Sequence, residues 1–122
     1  MTIVCVDNTP IMLQTLMENA RNAYPCAEVK TFLTEAPALE YAKTFGCDVL
    51  LCEINPPRLE GLFLAEKMKK INPRVNIIFV TVCSESEHAK AVLRLKPSGY
   101  LTKEATSAQI LDELQNLRYP VE

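Results

Sequence analysis

Three runs of the chain are apolar or β-branched at nearly every position: Thr2 to Val6, Val49 to Cys52, and Val75 to Val80 around Asn76. A short continuous apolar run closed by turn residues predicts a strand buried on both faces, as in a parallel sheet. The stretch AEVKTFL, 27–33, alternates only loosely and predicts a less buried strand nearer a sheet edge. Gly99 to Lys103, GYLTK, predicts a short strand ending in a lysine. Between these runs, apolar residues recur at steps of three and four. The sets are Leu13, Leu16, Met17, Ala20 and Tyr24; Ala38, Leu39 and Ala42; Leu62, Ala65, Met68 and Ile71; Ala89, Val92 and Leu93; and Ile110, Leu111, Leu114 and Leu117. Each set lines one face of a helix.

Turn and cap residues set the boundaries. Thr9-Pro10 predicts an N-cap and first helical residue, and Pro25 the end of that helix. The second helix is expected over Thr34 to Phe45 with Gly46 as its C-terminal stop. Asn72-Pro73 stops the third, and the fourth is expected over Ser84 to Lys96 before the Pro97-Ser98-Gly99 turn. Thr106 with Gln109 fits a capping box for the fifth. Pro56 and Pro57 cannot continue the strand that reaches Glu53, because each lacks a backbone N–H. Five strands alternating with five helices predict an α/β fold, a parallel sheet with helices on both sides. At 122 residues, without repeats or an interdomain linker, one domain over 1–122 is expected.

The apolar fraction, 48%, supports a folded core, and the formal net charge of −2 gives no support to a broad nucleic-acid or membrane surface. Lys67, Lys69, Lys70 and Arg74 stand near Glu66 and read as a solvated helix face. Five cysteines lie at 5, 26, 47, 52 and 83, without a C-x-x-C pair and with a single histidine, His88, to which no role is given. That pattern predicts no zinc site; Cys5, Cys52 and Cys83 fall in apolar runs and read as buried reduced thiols of a cytoplasmic protein. No apolar run approaches a membrane span, and the opening strand leaves no room for a signal peptide.

Four predicted strands end in polar residues: Asp7-Asn8, Glu53, Thr81 and Lys103. Parallel strands bring those ends to one edge, where open α/β sheets bind ligands. Two acids, a hydroxyl and an ammonium suit a divalent cation together with a phosphoryl group. Mg²⁺ accepts carboxylate and phosphate oxygens at once, lysine neutralises phosphate charge, and threonine donates to a phosphate oxygen.

On these residues the chain resembles the receiver domain of bacterial two-component response regulators, from Ile3 to about Leu117. The parts that carry the resemblance are the acid after strand one, the segment E-I-N-P-P-R-L-E-G, Thr81, and G-Y-L-T-K ending at Lys103. The resemblance implies strand order 2-1-3-4-5, the order of doubly wound, flavodoxin-like sheets. It implies phosphoryl transfer from a kinase histidine to the residue at position 53, with Mg²⁺ held by Asp7, Asn8, Glu53 and the backbone carbonyl of Asn55. It further implies that Thr81 and Lys103 contact the phosphoryl group, that Tyr100 is an aromatic switch, and that output passes through the fourth helix, fifth strand and fifth helix. A histidine kinase, or a downstream output protein or domain, is the implied partner, with no direct nucleic-acid contact by this domain.

The chain departs from that pattern at the acceptor itself. Glu53 stands where the family has aspartate, one methylene longer and so nearer Thr81 and Lys103. Asn8 replaces a second acid, which predicts weaker Mg²⁺ binding. Val82 follows Thr81 where a small residue is usual, and Glu104 replaces the proline common after the lysine. The expectation is an atypical, non-enzymatic receiver in which Glu53 stands in for the phosphoaspartate. Alternatives are a working receiver that tolerates glutamate, a phosphatase of haloacid-dehalogenase type, and a flavin or nucleotide binder. The phosphatase wants a second acid where Thr9 stands, and the nucleotide binder wants a glycine-rich loop where Asp-Asn-Thr-Pro stands. Glu85, Glu87, Lys90, Arg94, Asp112, Glu113 and Arg118 could pair two copies through the output face, and equally suit solvated surface.

Overall fold

The computed structural model describes residues 1–54, 60–82 and 89–121. In chain order these form β1 (Thr2–Val6), α1 (Pro10–Ala23), β2 (Glu28–Phe32), α2 (Glu35–Phe45), β3 (Val49–Ile54), α3 (Glu60–Ile71), β4 (Asn76–Thr81), α4 (Ala89–Arg94), β5 (Gly99–Thr102) and α5 (Ser107–Gln115). All strands pair in parallel, in the order β2-β1-β3-β4-β5. The expected doubly wound sheet is therefore present.

Side-chain alternation divides the core into two layers. Val4, Val6, Leu50, Cys52, Ile77 and Phe79 face α2, α3 and α4, where they meet Ala38, Ala42, Leu62, Leu64, Ala65, Met68 and Val92. Ile3, Cys5, Val49, Leu51, Ile78 and Val80 face α1 and α5, against Leu13, Leu16, Ala20, Ile110 and Leu114. Both faces of β1, β3 and β4 are thus covered, which is why their sequences read as unbroken apolar runs. The Tyr24 hydroxyl donates to Leu114 O at 2.6 Å and ties α1 to α5. Thr106 and Gln109 form the anticipated capping box at α5. Gly46, at φ +80°, ends α2 in a conformation that favours glycine.

Several local expectations are corrected. β3 reaches Glu53 as expected and runs one residue further, to Ile54, which keeps a sheet partner in Thr81. Thr9 precedes α1 but its side chain makes no cap; its N–H donates instead to Asp7 Oδ1 at 2.8 Å. α1 ends at Ala23 with Tyr24 as its C-cap, immediately before Pro25, where its end was expected. Leu93 is 71% exposed, so the buried side of α4 is marked by Val92 and not by Leu93. The first residues expected in the fourth helix, with Cys83 and His88, lie outside the described residues, as do Pro56, Pro57, Glu85 and Glu87.

Cys5, Cys47 and Cys52 are buried and free, while Cys26 is free and exposed. Burial, then the neighbouring Cys47, pushes the Cys5 thiol up to about 12. Burial, then Asp48, does the same to Cys47, and burial raises Cys52 well above the ordinary thiol range. Because the thiolate is the nucleophile, iodoacetamide at mildly alkaline pH is expected to alkylate Cys26 in the native protein. Cys5, Cys47 and Cys52 should react only after denaturant is added. Peptide mass mapping checks this, and native labelling of Cys5 or Cys52 would contradict the packing described.

Candidate functional site

The site is assembled by the same alternation that builds the core. Asp7 follows Cys5 on the α1–α5 side of the sheet, Glu53 follows Leu51, and Lys103 follows Leu101. At the carboxyl edge these three have run past the apolar layer, and their charges meet. Lys103 Nζ lies 2.5 Å from Glu53 Oε1 and 3.1 Å from Asp7 Oδ1. The other Glu53 oxygen, Oε2, accepts the backbone N–H of Asn8 at 3.0 Å. Asp7 Oδ1 is shared between Lys103 and Thr9 N–H. Asp7 is fully buried and Glu53 is 6% exposed. Two buried carboxylates and one ammonium leave a formal charge of −1, so the cluster is compensated in part.

Lys103 titrates above an ordinary lysine. Burial alone pushes its pKa down, but the hydrogen bonds and charges of Glu53 and Asp7 together outweigh that effect. One oxygen remains open: Asp7 Oδ2 is buried and has no hydrogen-bond partner among the described residues. A buried carboxylate oxygen left in that state is costly and calls for a cationic or hydrogen-donating guest.

The remaining sequence-predicted residues take other positions. Asn8 is exposed; its backbone reaches Glu53, while its side-chain oxygen accepts from Thr9 Oγ1 at 3.2 Å. Thr81 is buried at the end of β4, and its carbonyl accepts Lys103 N–H at 2.7 Å, which fixes where the chain leaves β5. By alternation Thr81 continues the Ile77–Phe79 side, and Tyr100 packs against that same layer. Thr81 and Tyr100 thus lie on the sheet face opposite the charged triad. The Tyr100 hydroxyl is buried and, among the described residues, makes no hydrogen bond. Val82 is 59% exposed at the rim. Asn55, named for its carbonyl, lies outside the described residues. A small cleft of about 80 Å³ opens over Glu53, lined by Asn8, Leu33, Thr34, Glu35, Glu60 and Gly61.

Two contributors were missed by reading the sequence for side chains. The Asn8 N–H is a main-chain donor and carries no residue signature. Gly61 had a signal, as the glycine of the E-I-N-P-P-R-L-E-G segment. A Cβ there would run into the Glu53 carbonyl oxygen, so only glycine lets α3 approach β3 this closely. The Cys52 thiol donates to Gly61 O at 3.4 Å across the same junction.

The family model for the response regulator receiver domain matches residues 3–115. The chain belongs to the response regulator receiver family. It is 30% identical over 78 residues to the response regulator GacA of Pseudomonas syringae, a match covering 64% of this chain and 36% of that protein. It is 26% identical over 80 residues to the response regulator UvrY of Escherichia coli, covering 66% of this chain and 37% of that one. The chain spans about a third of the length of these curated relatives. Among solved structures it superposes on the chemotaxis protein CheY4 of Vibrio cholerae with a TM-score of 0.80 at 21% identity, covering 93% of this chain and 95% of that one. The activated DrrB receiver domain gives a TM-score of 0.79 at 22% identity, with 93% of each chain covered. At those identities the superpositions speak for the fold. No helix among the described residues is long and apolar enough to cross a membrane.

Proposed function

We propose that this receiver is a pseudo-receiver: Glu53 acts as a permanent stand-in for a phosphorylated aspartate, and output is set by binding a protein partner. The observation that carries this reading is the 2.5 Å contact between Glu53 Oε1 and Lys103 Nζ. In the family the lysine neutralises an incoming phosphoryl group. Here a carboxylate one methylene longer than aspartate already meets the ammonium, and both of its oxygens are engaged. An acceptor oxygen so occupied is a poor nucleophile. The domain is then a non-enzymatic binding module, one unit over 1–122, with a histidine kinase or a downstream output protein as its partner. Tyr100 and the face formed by α4, β5 and α5 would carry the signal, and Thr81, through its carbonyl on Lys103 N–H, would fix the backbone of the lysine that anchors the carboxylate.

One observation favours a second reading, a working acceptor. The open Asp7 Oδ2 fits a divalent cation. Asp7 would hold Mg²⁺, helped by the neutral Asn8 oxygen and the Asn55 carbonyl, and more weakly than a two-acid site would. When bound, the ion supplies charge neutralisation to phosphoryl oxygens; Glu53 would have to leave Lys103 before it could accept one.

The two readings part in one experiment. The chain is incubated with a small acyl phosphate donor and Mg²⁺, then weighed by intact mass spectrometry. The expected result is no phosphoryl adduct on the native chain and a hydroxylamine-sensitive adduct on Glu53→Asp. A stoichiometric adduct on native Glu53 would establish the working acceptor and end the pseudo-receiver reading.

A further inference from the structure

The opposite edge of the sheet carries a second polar assembly, and the Asn76 side chain organises it. Asn76 is fully buried at the start of β4. Its Oδ1 accepts from Tyr119 N–H at 2.7 Å and from Ser98 Oγ at 2.8 Å, and its Nδ2 donates to Tyr119 O at 2.9 Å. Ser98 Oγ in turn accepts Arg118 N–H at 3.0 Å. A buried amide that meets both backbone groups of one residue fixes that residue as a β-ladder would. The segment after α5 is therefore held across the amino-terminal edge of the sheet.

Holding Tyr119 there gathers cations around it. Lys69 Nζ is 4.7 Å from the ring centre and Arg74 Cζ is 5.6 Å from it. Lys69 Nζ also donates to the Tyr119 hydroxyl at 3.4 Å. That hydrogen bond and the charges of Lys69 and Arg118 draw the phenol toward the acidic side of its ordinary value. Among the described residues, none of Lys69, Arg74 and Arg118 has a carboxylate within 4.0 Å, although the chain as a whole is acidic. Beside them opens a cavity of about 400 Å³ lined by Met1, Asp48, Asn72, Arg74, Pro120 and Val121. Arg74 belongs to both the cavity and the cationic group.

We infer that this edge is a binding site for a small phosphate-bearing molecule. Its phosphate lies on Lys69, Arg118 and the Tyr119 hydroxyl, and its polar body lies in the cavity beside Arg74. Arginine and lysine together suit a phosphate, the first by its fork of donors and the second as a mobile point charge. The group is too compact to track a nucleic-acid backbone, whose binding draws on many phosphate contacts. The cavity is of the size that takes a small ligand. The site is separate from the Glu53 cluster, and its existence does not depend on the function proposed for that cluster.

The test uses inorganic phosphate and adenosine monophosphate as probes, with the full chain at low ionic strength and backbone amide shifts as the readout. Both probes are expected to shift Lys69, Arg118 and Tyr119 while leaving Asp7, Glu53 and Lys103 in place. The nucleotide should bind about 10-fold more tightly than phosphate, because its body fills the cavity. Lys69→Glu and Arg118→Gln should each weaken both ligands by about 10-fold with the rest of the spectrum preserved. The inference is overturned by absence of shifts in millimolar phosphate, by the same shifts in matched sodium chloride, by undiminished binding in both variants, or by equal affinity for the two probes.

Discussion

Lys103→Met is expected to lower the unfolding free energy by about 2–4 kcal/mol, the largest single loss at the functional edge. Methionine keeps most of the lysine's length and apolar stem but supplies no charge. Glu53 and Asp7 would then be left as two buried carboxylates facing each other without a cation. Breaking a fully buried ion pair by removing one partner typically costs about 3–5 kcal/mol. The expectation here is somewhat lower because the Lys103 side chain is 17% exposed, so water relieves part of the cost. Glu53→Gln should cost less, since Lys103 keeps Asp7 Oδ1 as a partner. In the Glu53→Gln background the Lys103→Met cost should shrink, and that difference measures the coupling between the pair. Urea titrations of the four proteins supply the numbers. A Lys103→Met protein as stable as the native one would show that the ammonium does nothing for these carboxylates.

The same contact fixes a pH dependence. The folded-state pKa of Lys103 is raised by Glu53 and Asp7 against the opposing effect of burial. A group raised on folding contributes its stability fully below its unfolded value, about 10.4 for lysine. That contribution is lost as pH climbs through the higher folded value. The gap in stability between the native chain and Lys103→Met should therefore be constant through neutral pH and close only above about pH 10.4.

How much of this was legible in the sequence follows from what kind of group does each job. Strands β1, β3 and β4 were visible because burial on two faces forces every side chain to be apolar, and the polar residue that ends each run marks the functional edge. Asp7, Glu53 and Thr81 were visible for that reason, whereas Lys103 follows the short edge strand β5 and was visible from the G-Y-L-T-K segment. The pairing of Glu53 with Lys103 was expected; the part played by Asp7 in steadying Lys103, and by Asn8 N–H in holding the second Glu53 oxygen, was not. Main-chain donors have no residue type, and a carboxylate can serve a cation, a cap or a metal with the same sequence. Thr9 shows that ambiguity: it looked like a helix cap, yet Asp7 captures its N–H. Asn76 shows another limit. Within an apolar run it read as one polar interruption, and its partners stand 22 and 43 residues away at Ser98 and Tyr119. Only the parallel register brings them to one place.

Gly61→Ala is the substitution whose outcome turns most sharply on geometry. By helix propensity it should help, since alanine is favoured over glycine by about 1 kcal/mol inside a helix. Gly61 is the second residue of α3 and has no positive φ to protect. Against that gain stands a Cβ that would be driven into the carbonyl oxygen of Glu53 and toward the thiol of Cys52. The obstacle is backbone of a central strand, paired on both sides, which cannot step aside as a flexible side chain would. Overpacking of this sort costs about 1–3 kcal/mol, and a clash with fixed backbone belongs at the upper end. The net expectation is a loss of about 2 kcal/mol. Its signature at the site distinguishes it from ordinary destabilisation. To make room, β3 must shift at Glu53, and the carboxylate must lengthen its contacts with Lys103 and Asn8 N–H. The cost of Lys103→Met should then be smaller in the Gly61→Ala background than in the native one. Urea titration of the double and single variants measures that difference. An alanine protein at least as stable as the native chain, with the lysine effect unchanged, would mean that α3 has freedom to back away from β3 and that the glycine does not set the position of Glu53.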